Sequence, residues 1–299
     1  MTNIPTLSTA LKRYATTEGL LSGAVTSPHF NFEFHEIEPI HDAFKPMARE
    51  QRFDVSEMAV FTYLQAYTYK KPIILLPVVL ASRFQHGCIV YNTDFHETLT
   101  PDMLPGMKVG VRAYTQTTGA WVRNILSQEH HLDLESVKWV IFEDAHLAEY
   151  KEPAFVSRAP KGTKLLPMLM SGEIDAGILG NDLPDDPKIK AVIPDAAKAG
   201  RAWHDKTGLL PVNHMLVVKR DLARERPDLV RSVYAAFKQS KEMAPATPGA
   251  IDMRPIGFDA ITPSLELVIQ LAYEQQIIPE RFSVDELFAE ARAILGANS

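Results

Sequence analysis

Cysteine is almost missing from this 299-residue chain: there is one, Cys88. A single thiol can form no intramolecular disulfide and no cysteine-built metal site. As a nucleophile it competes with the usual fate of a free cysteine, a small buried hydrophobe. An excess of positive charge is missing too. Lys and Arg number 31 against 37 Asp and Glu, a net charge of −6. That balance offers no basic footprint for nucleic acid and no polybasic surface for anionic lipid. The apolar stretch Ile73–Ala81, interrupted by Pro77, falls well short of the roughly 20 residues a membrane-spanning helix needs. Lys12 and Arg13 are followed by YATTEGLLSGAV, which lacks an unbroken apolar core and so is no secretory signal. A cytoplasmic protein is expected. Neither GxxxxGK[ST] nor GxGxxG occurs, which argues against nucleotide binding, and no internal repeat or low-complexity segment is present.

What is present centres on Lys70–Asn92, KKPIILLPVVLASRFQHGCIVYN. An apolar run breaks into Ser82, Arg83, Gln85 and His86 and resumes at Ile89–Tyr91. This reads as a buried strand, a polar turn and a second apolar segment. A guanidinium and an imidazole between buried segments need partners. Either an anionic ligand supplies them, or an internal carboxylate holds Arg83 while His86 caps a strand end.

Elsewhere, Phe30–His35 alternates with period two, as in a half-buried strand. His35 and His41 flank Glu36 and Glu38, a solvated edge rather than a metal site. Ser56 reads as the N-cap of a helix from Glu57 to about Tyr69, a turn that suits an anion or is simply an ordinary cap. Lys108–Val111 is a short strand, followed by Arg112, Tyr114, Thr117 and Thr118 and a helix from Ala120 to about Glu129. Strand, small polar turn and helix N-terminus form a cradle for carboxylates. Val137–Phe142 is a strand. Leu165–Ser171 is a helix, and Ile174–Gly180 a strand whose start exposes Asp175. His130 and His131 read as solvated. His214 leads the strand Met215–Lys219 and is either a satisfied core histidine or a site residue. Pro227 opens a helix to about Met243, Thr262 caps a helix beginning at Pro263, and Ser283 with Glu286 forms a capping box for the last helix.

Strands and helices alternate to about Lys219, an α/β pattern with mostly parallel sheets. Two αβ blocks and a return strand predict two lobes: residues 1–91 with 212–299, and an inserted lobe of 92–211. Ligands of such folds bind beyond strand C-termini or in a cleft between lobes. There Ser56, Glu57, Arg83, His86, Arg112–Thr118, Asp175 and His214 are expected to converge.

The segments DVSEMAVFTYL (54–64), SRFQHGCIVYN (82–92), KVGVRAYTQTTGAWVRNIL (108–126), GEIDA (172–176), TGLLPVNHMLVVKR (207–220) and SLELVIQLAYEQQIIPERFSVDELF (264–288) resemble the 4,5-dihydroxyphthalate decarboxylases. The resemblance runs over most of the chain in the same order. It implies a two-lobed type 2 periplasmic-binding-protein-like fold and loss of CO2 from a hydroxylated aromatic dicarboxylate by ring protonation. Two departures bear on the substrate: Gln85 stands where the family usually has a second arginine, and Arg112-Ala113 where it has an uncharged or acidic pair.

On that resemblance Arg83 binds one carboxylate, and Arg112 with the amides near Thr117 and Thr118 binds a second. Ser56, Tyr114 and Asp175 complete the substrate contacts. His86 is the preferred proton donor, and His214 and Glu57 orient or deprotonate the phenol. No cofactor is expected. A divalent metal on Glu57, His86 and His214 ranks second, because no spacing motif supports it. The expected partner is a small aromatic carboxylate, not nucleic acid or membrane, and a homo-oligomer is expected. The rival readings are a non-catalytic binding protein for an aromatic carboxylate, and a lyase of the same fold on another cyclic acid, as in the naphthoate-forming enzymes of menaquinone synthesis.

Overall fold

Aliphatic runs bounded by Pro, Gly and Asp become strands along most of the chain, which a computed structural model describes at residues 4–180, 183–246 and 248–296. From the N-terminus come β1 (Thr6–Ala10), α1 (Glu18–Leu21), β2 (Asn31–His35), α2 (Phe44–Glu50), β3 (Val55–Ala59), α3 (Val60–Thr68) and β4 (Ile73–Ser82). Next are β5 (Ile89–Asn92), β6 (Lys108–Val111), α4 (Thr117–His130), β7 (Lys138–Ile141), β8 (Val156–Arg158), α5 (Leu165–Met170), β9 (Ala176–Ile178), β10 (Ile189–Ala191) and α6 (Ala196–Thr207). β11 (Val212–Lys219) leads into α7 (Arg220–Glu225), α8 (Pro227–Glu242), α9 (Phe258–Glu274) and α10 (Val284–Leu295). Among the described residues, no helix is long and apolar enough to cross a membrane.

The chain divides into two units. The first runs to Ser82 and takes in Val212–Gln270 and the chain from Ile278; the second is Arg83–Pro211 with Leu271–Ile277. The second unit therefore begins before position 92, because β5 pairs with β9 and β10 and is a strand of the second sheet.

In the first unit the strand order is β2-β1-β3-β11-β4. β1 pairs in parallel with β2 and β3, while β11 runs antiparallel to both β3 and β4. The inner strand β3 is buried throughout even though it carries Ser56 and Glu57, whereas the edge strand β2 keeps the alternation that identified it. One consequence of the register decides the site. The carboxyl ends of β1, β3 and β4 and the start of β11 lie at the same margin of the sheet. β1's following loop, Glu57, Ala81 and His214 thereby become neighbours.

Two helix starts depart from expectation. The segment at Ser56 is strand, not cap: β3 continues to Ala59 and α3 begins at Val60. Pairing on both flanks, to β1 and β11, satisfies the backbone groups that a helix would otherwise bond, so tertiary contacts override the capping signal. Toward the C-terminus, α9 starts at Phe258, with Pro263 inside it. Thr262 does not cap; its hydroxyl donates to the Phe258 carbonyl at 2.8 Å. The missing N–H of Pro263 removes one i→i−4 bond without ending the helix. The capping box of Ser283 and Glu286 at α10 forms as expected, a feature worth about 1 kcal/mol.

The second unit is a sheet of order β10-β5-β9-β6-β7-β8. β6, β7, β8 and β9 run in parallel and β5 antiparallel to β9. α4 follows the carboxyl end of β6, Gly180 follows that of β9, and the segment Arg83–Cys88 enters β5 at the same end, where the Leu179 amide donates to the Cys88 carbonyl at 3.0 Å.

Cys88 is buried and its thiol lies 3.4 Å from Gln85 Oε1. Burial pushes the thiol pKa up, with Arg83 opposing only in part. The thiolate fraction at neutral pH therefore drops below that of a free cysteine. Native protein at pH 8 is expected to resist alkylation by iodoacetamide that goes to completion in urea; rapid native labelling, read by intact mass, would contradict this.

Candidate functional site

In the first unit the site is built around one buried carboxylate. Glu57 is fully buried on β3, a costly place for a charge unless it is bonded on every side. Its Oε1 lies 2.6 Å from Nδ1 of His214 and accepts a hydrogen bond from the Tyr14 hydroxyl at 2.6 Å. Its Oε2 accepts from the backbone N–H of Lys12 at 3.1 Å. With Nδ1 on Glu57, the imidazole keeps Nε2 for other work, and the side chain is 21 % exposed. The Phe44 ring meets it edge-on, centroids 5.0 Å apart. A buried carboxylate that orients one nitrogen of a partly exposed imidazole is an arrangement that can hold and pass a proton.

Tyr14 and the Lys12 amide were not anticipated. They sit in the loop after β1, at a strand carboxyl end, where the general rule for α/β sheets would have pointed. No motif marks a lone tyrosine there. Thr17, fully buried, shapes the loop: its hydroxyl accepts from the Tyr14 amide at 2.8 Å and donates to the Lys12 carbonyl at 2.9 Å.

Glu57 and His214 are thus brought together. Ser56 is not open to a ligand: it is fully buried, and its hydroxyl donates to the Glu57 carbonyl at 2.8 Å.

In the second unit the site lies at the first turn of α4. Nη2 of Arg83 is 3.3 Å from the hydroxyl oxygen of Thr118. Gly180 lies beneath them at φ +60°, and a Cβ there would come within 3.1 Å of Arg83 Nη2 and 3.6 Å of Thr118 Oγ1. The hydroxyl oxygen of Thr117 is buried with no hydrogen-bond partner. Guanidinium, two hydroxyls and a helix N-terminus in one place make an anion cradle. The helix begins at Thr117, three residues earlier than the sequence suggests, so both threonines belong to its first turn.

Behind the cradle, Arg123 is completely buried. Its Nε donates to Gln275 Oε1 at 2.8 Å and its Nη2 to the Tyr114 carbonyl at 2.6 Å. The guanidinium stacks 3.9 Å from the centre of the Tyr114 ring. Burial drives its pKa down. Tyr114 is itself buried, so it supports the turn rather than presenting its phenol to solvent.

Three further expectations are redirected. His86 is 2 % exposed, its Nε2 3.1 Å from Glu129 Oε1, and its Nδ1 is buried beside Gly200 of α6. Neither ring nitrogen is open to a substrate. Arg83 reaches the first turn of α4 and His86 the last, some 16 Å apart along the helix by its rise per residue. Asp175 accepts from the Lys108 amide at 2.8 Å and lies 3.0 Å from His96 Nε2. It therefore ties down the amino ends of β6 and β9, opposite to the cradle. Arg112 faces Glu143 at 3.6 Å, an ion pair that takes it out of the cradle's own contacts. Among the described residues, no group of three or more His, Cys, Asp or Glu side chains is arranged to hold a metal.

No family model matches the chain. A curated 4,5-dihydroxyphthalate decarboxylase of Comamonas testosteroni is 29% identical over 251 residues, 80% of this chain and 75% of that protein. A second, of Pseudomonas putida, is 29% identical over 211 residues, 66% of this chain and 81% of that protein. Among solved structures, a variant of the desulfurization enzyme DSZB in complex with biphenyl-2-sulfinic acid aligns with a TM-score of 0.54 at 16% identity, covering 97% of this chain and 99% of that one. The alkanesulfonate-binding protein SsuA of Xanthomonas axonopodis pv. citri aligns at 0.50 and 12% identity, covering 91% and 92%. The fold is of the two-lobed type 2 periplasmic-binding-protein-like class.

Proposed function

We propose, from its similarity to curated 4,5-dihydroxyphthalate decarboxylases, that the chain is a carboxy-lyase acting on a hydroxylated aromatic dicarboxylate such as 4,5-dihydroxyphthalate. Direct loss of CO2 from an aromatic ring would leave an sp2 carbanion that no side chain stabilises well. Protonation first avoids it. The ring carbon bearing the carboxylate takes a proton from His214 Nε2, using a π pair pushed by the hydroxyl para to that carbon. The bond to the carboxylate then breaks, its electron pair restores the aromatic ring, and CO2 leaves. The net change is replacement of CO2 by one proton, with His214 reprotonated from solvent.

The observation that carries this assignment of roles is the His214–Glu57 pair, 2.6 Å apart with the carboxylate buried. Glu57 acts through His214: it fixes the ring by accepting from Nδ1–H and stabilises the imidazolium, whose Nε2 proton is the one transferred. Its hydrogen bonds are to His214, Tyr14 and the Lys12 amide, so it is assigned no contact with the substrate's hydroxyls. His86 gives up the proton-donor role because both its nitrogens are enclosed. Arg83, Thr118 and the first turn of α4 form the carboxylate-binding element, a planar fork suited to two oxygens. A positioned acid of this kind contributes roughly 10²–10⁴-fold, and orientation and electrostatics supply the remainder.

The test is CO2 release and product mass from purified protein with a panel of hydroxylated phthalates and related aromatic acids, with and without a chelator. Turnover of at least one dicarboxylate is expected. Saturable binding of a panel member with no CO2 from any of them would replace the lyase by a binding protein. Loss of turnover with the chelator would show a metal requirement.

A further inference from the structure

Tyr14 lies outside every motif that marks the chain, yet its hydroxyl donates to the same Glu57 oxygen that faces His214, both at 2.6 Å. Two donors on one carboxylate oxygen make that oxygen a poorer base than one donor would. The phenol has a reason to remain a donor. Burial, and after it the charge and hydrogen bond of Glu57, raise its pKa far above the ordinary range, with Arg254 opposing and Glu38 adding slightly. The position is also built. Thr17 ties the loop down at the Tyr14 amide and the Lys12 carbonyl. The Arg254 guanidinium sits 5.1 Å from the centre of the Tyr14 ring, anchored by its Nε to the Leu80 carbonyl at 3.0 Å. Three sequence-distant elements thus hold one phenol against one carboxylate.

We propose that Tyr14 is the positioning residue of the acid–base pair, tempering the basicity of Glu57 so that His214 releases its proton more readily. The proposal rests on the reading of His214 as the proton donor. Among the described residues, the groups that face His214 and Glu57 include Tyr14 and the Lys12 amide from the loop after β1, Phe44 from α2, and Arg254 beyond the Tyr14 ring. Tyr14 is a side chain in direct contact with the pair that donates to the carboxylate. Without it, Glu57 pulls harder on the imidazolium proton and the His214 titration moves upward.

The experiment is an NMR titration of the His214 imidazole in the unliganded protein, wild type against Tyr14→Phe, with Glu57→Gln and the double variant completing the cycle. An upward shift of roughly half a pH unit or more is expected in Tyr14→Phe, the size of a partial loss of a charge-assisted hydrogen bond. No further shift is expected from Tyr14→Phe when Glu57 is already glutamine. A merely structural tyrosine would not show that dependence on Glu57. An unmoved titration in Tyr14→Phe, or an equal shift in the Glu57→Gln background, overturns the proposal. With an active substrate, kcat should fall about tenfold with KM changed less than twofold, because Tyr14 acts through another group, and the pH limb of kcat should follow the NMR shift. The titration needs no substrate. A wild-type protein that turns over nothing therefore refutes the function reading, and an unmoved titration refutes the role of Tyr14.

Discussion

His214→Asn is expected to lower kcat for decarboxylation by about 10²–10⁴-fold, the range that a positioned acid contributes, while the urea unfolding midpoint changes little. Asparagine is chosen for its geometry. Its amide nitrogen stands near the place of Nδ1 and can still donate to Glu57 Oε1, which in the native protein lies 2.6 Å away. The buried carboxylate therefore keeps a partner, and the large penalty for an uncompensated internal charge is avoided. What the variant lacks is the second nitrogen, the one able to reach a substrate carbon. KM should stay within a few-fold, since the Arg83–Thr118 cradle is left untouched. Near-native kcat in a folded His214→Asn protein would remove His214 from the chemistry and reopen the search for the acid. Glu57→Gln is a harsher change. It leaves an amide among groups arranged for an anion, so its loss of activity alone would not separate chemistry from folding.

Arg83→Met is expected to raise KM by about 30-fold to 1,000-fold, the equivalent of roughly 2–4 kcal/mol for removing one partner of a desolvated charge pair. The contact that motivates it is Nη2 at 3.3 Å from Thr118 Oγ1, above Gly180. Arg83→Lys should fall between, because an ammonium keeps the charge and loses the planar fork. Gly180→Ala probes the same place without touching charge. At φ +60° an alanine is strained, and its methyl would crowd the guanidinium at 3.1 Å. The same variants should lose competitive inhibition by simple aromatic carboxylates in parallel with substrate affinity. If Arg83→Met leaves KM unchanged and lowers only kcat, the cradle is not where the carboxylate binds.

The two expected results draw on parts of the molecule that were unequally legible in the sequence. Arg83 was recognisable because a guanidinium between two apolar segments needs a partner, and the structure provides a helix N-terminus and Thr118. His86, three residues on, carried the same signal and went elsewhere. The chain turns after Arg83, so His86 points under α6 onto Glu129. A spacing of three cannot reveal that turn. Asp175 was misread for a related reason: its position at the start of a strand was clear, but which end of the sheet faces a ligand depends on strand direction. Ser56 failed through competition. Its capping signal is genuine in isolation and loses to pairing with β1 and β11.

Local chemistry along the chain was sufficient for the alternation of strands and helices, for buried strands such as Ile73–Ala81, for the capping box at Ser283, and for a short list of polar residues too costly to bury without partners. These are properties of periodicity, propensity and desolvation, which act over a few residues and leave their mark in the sequence. The Tyr14–Glu57–His214 constellation is of another kind. Its members are separated by 43 and 157 positions, and they meet only because β1, β3 and β11 pair in a register that sets their ends level. A carboxylate of this sort looks like any first-turn glutamate until the strand pairing buries it, and burial is what gives it a charge worth compensating. Tertiary structure alone decided that Glu57 would be an internal anion, and so that a histidine and a tyrosine far away in the chain would be held to it.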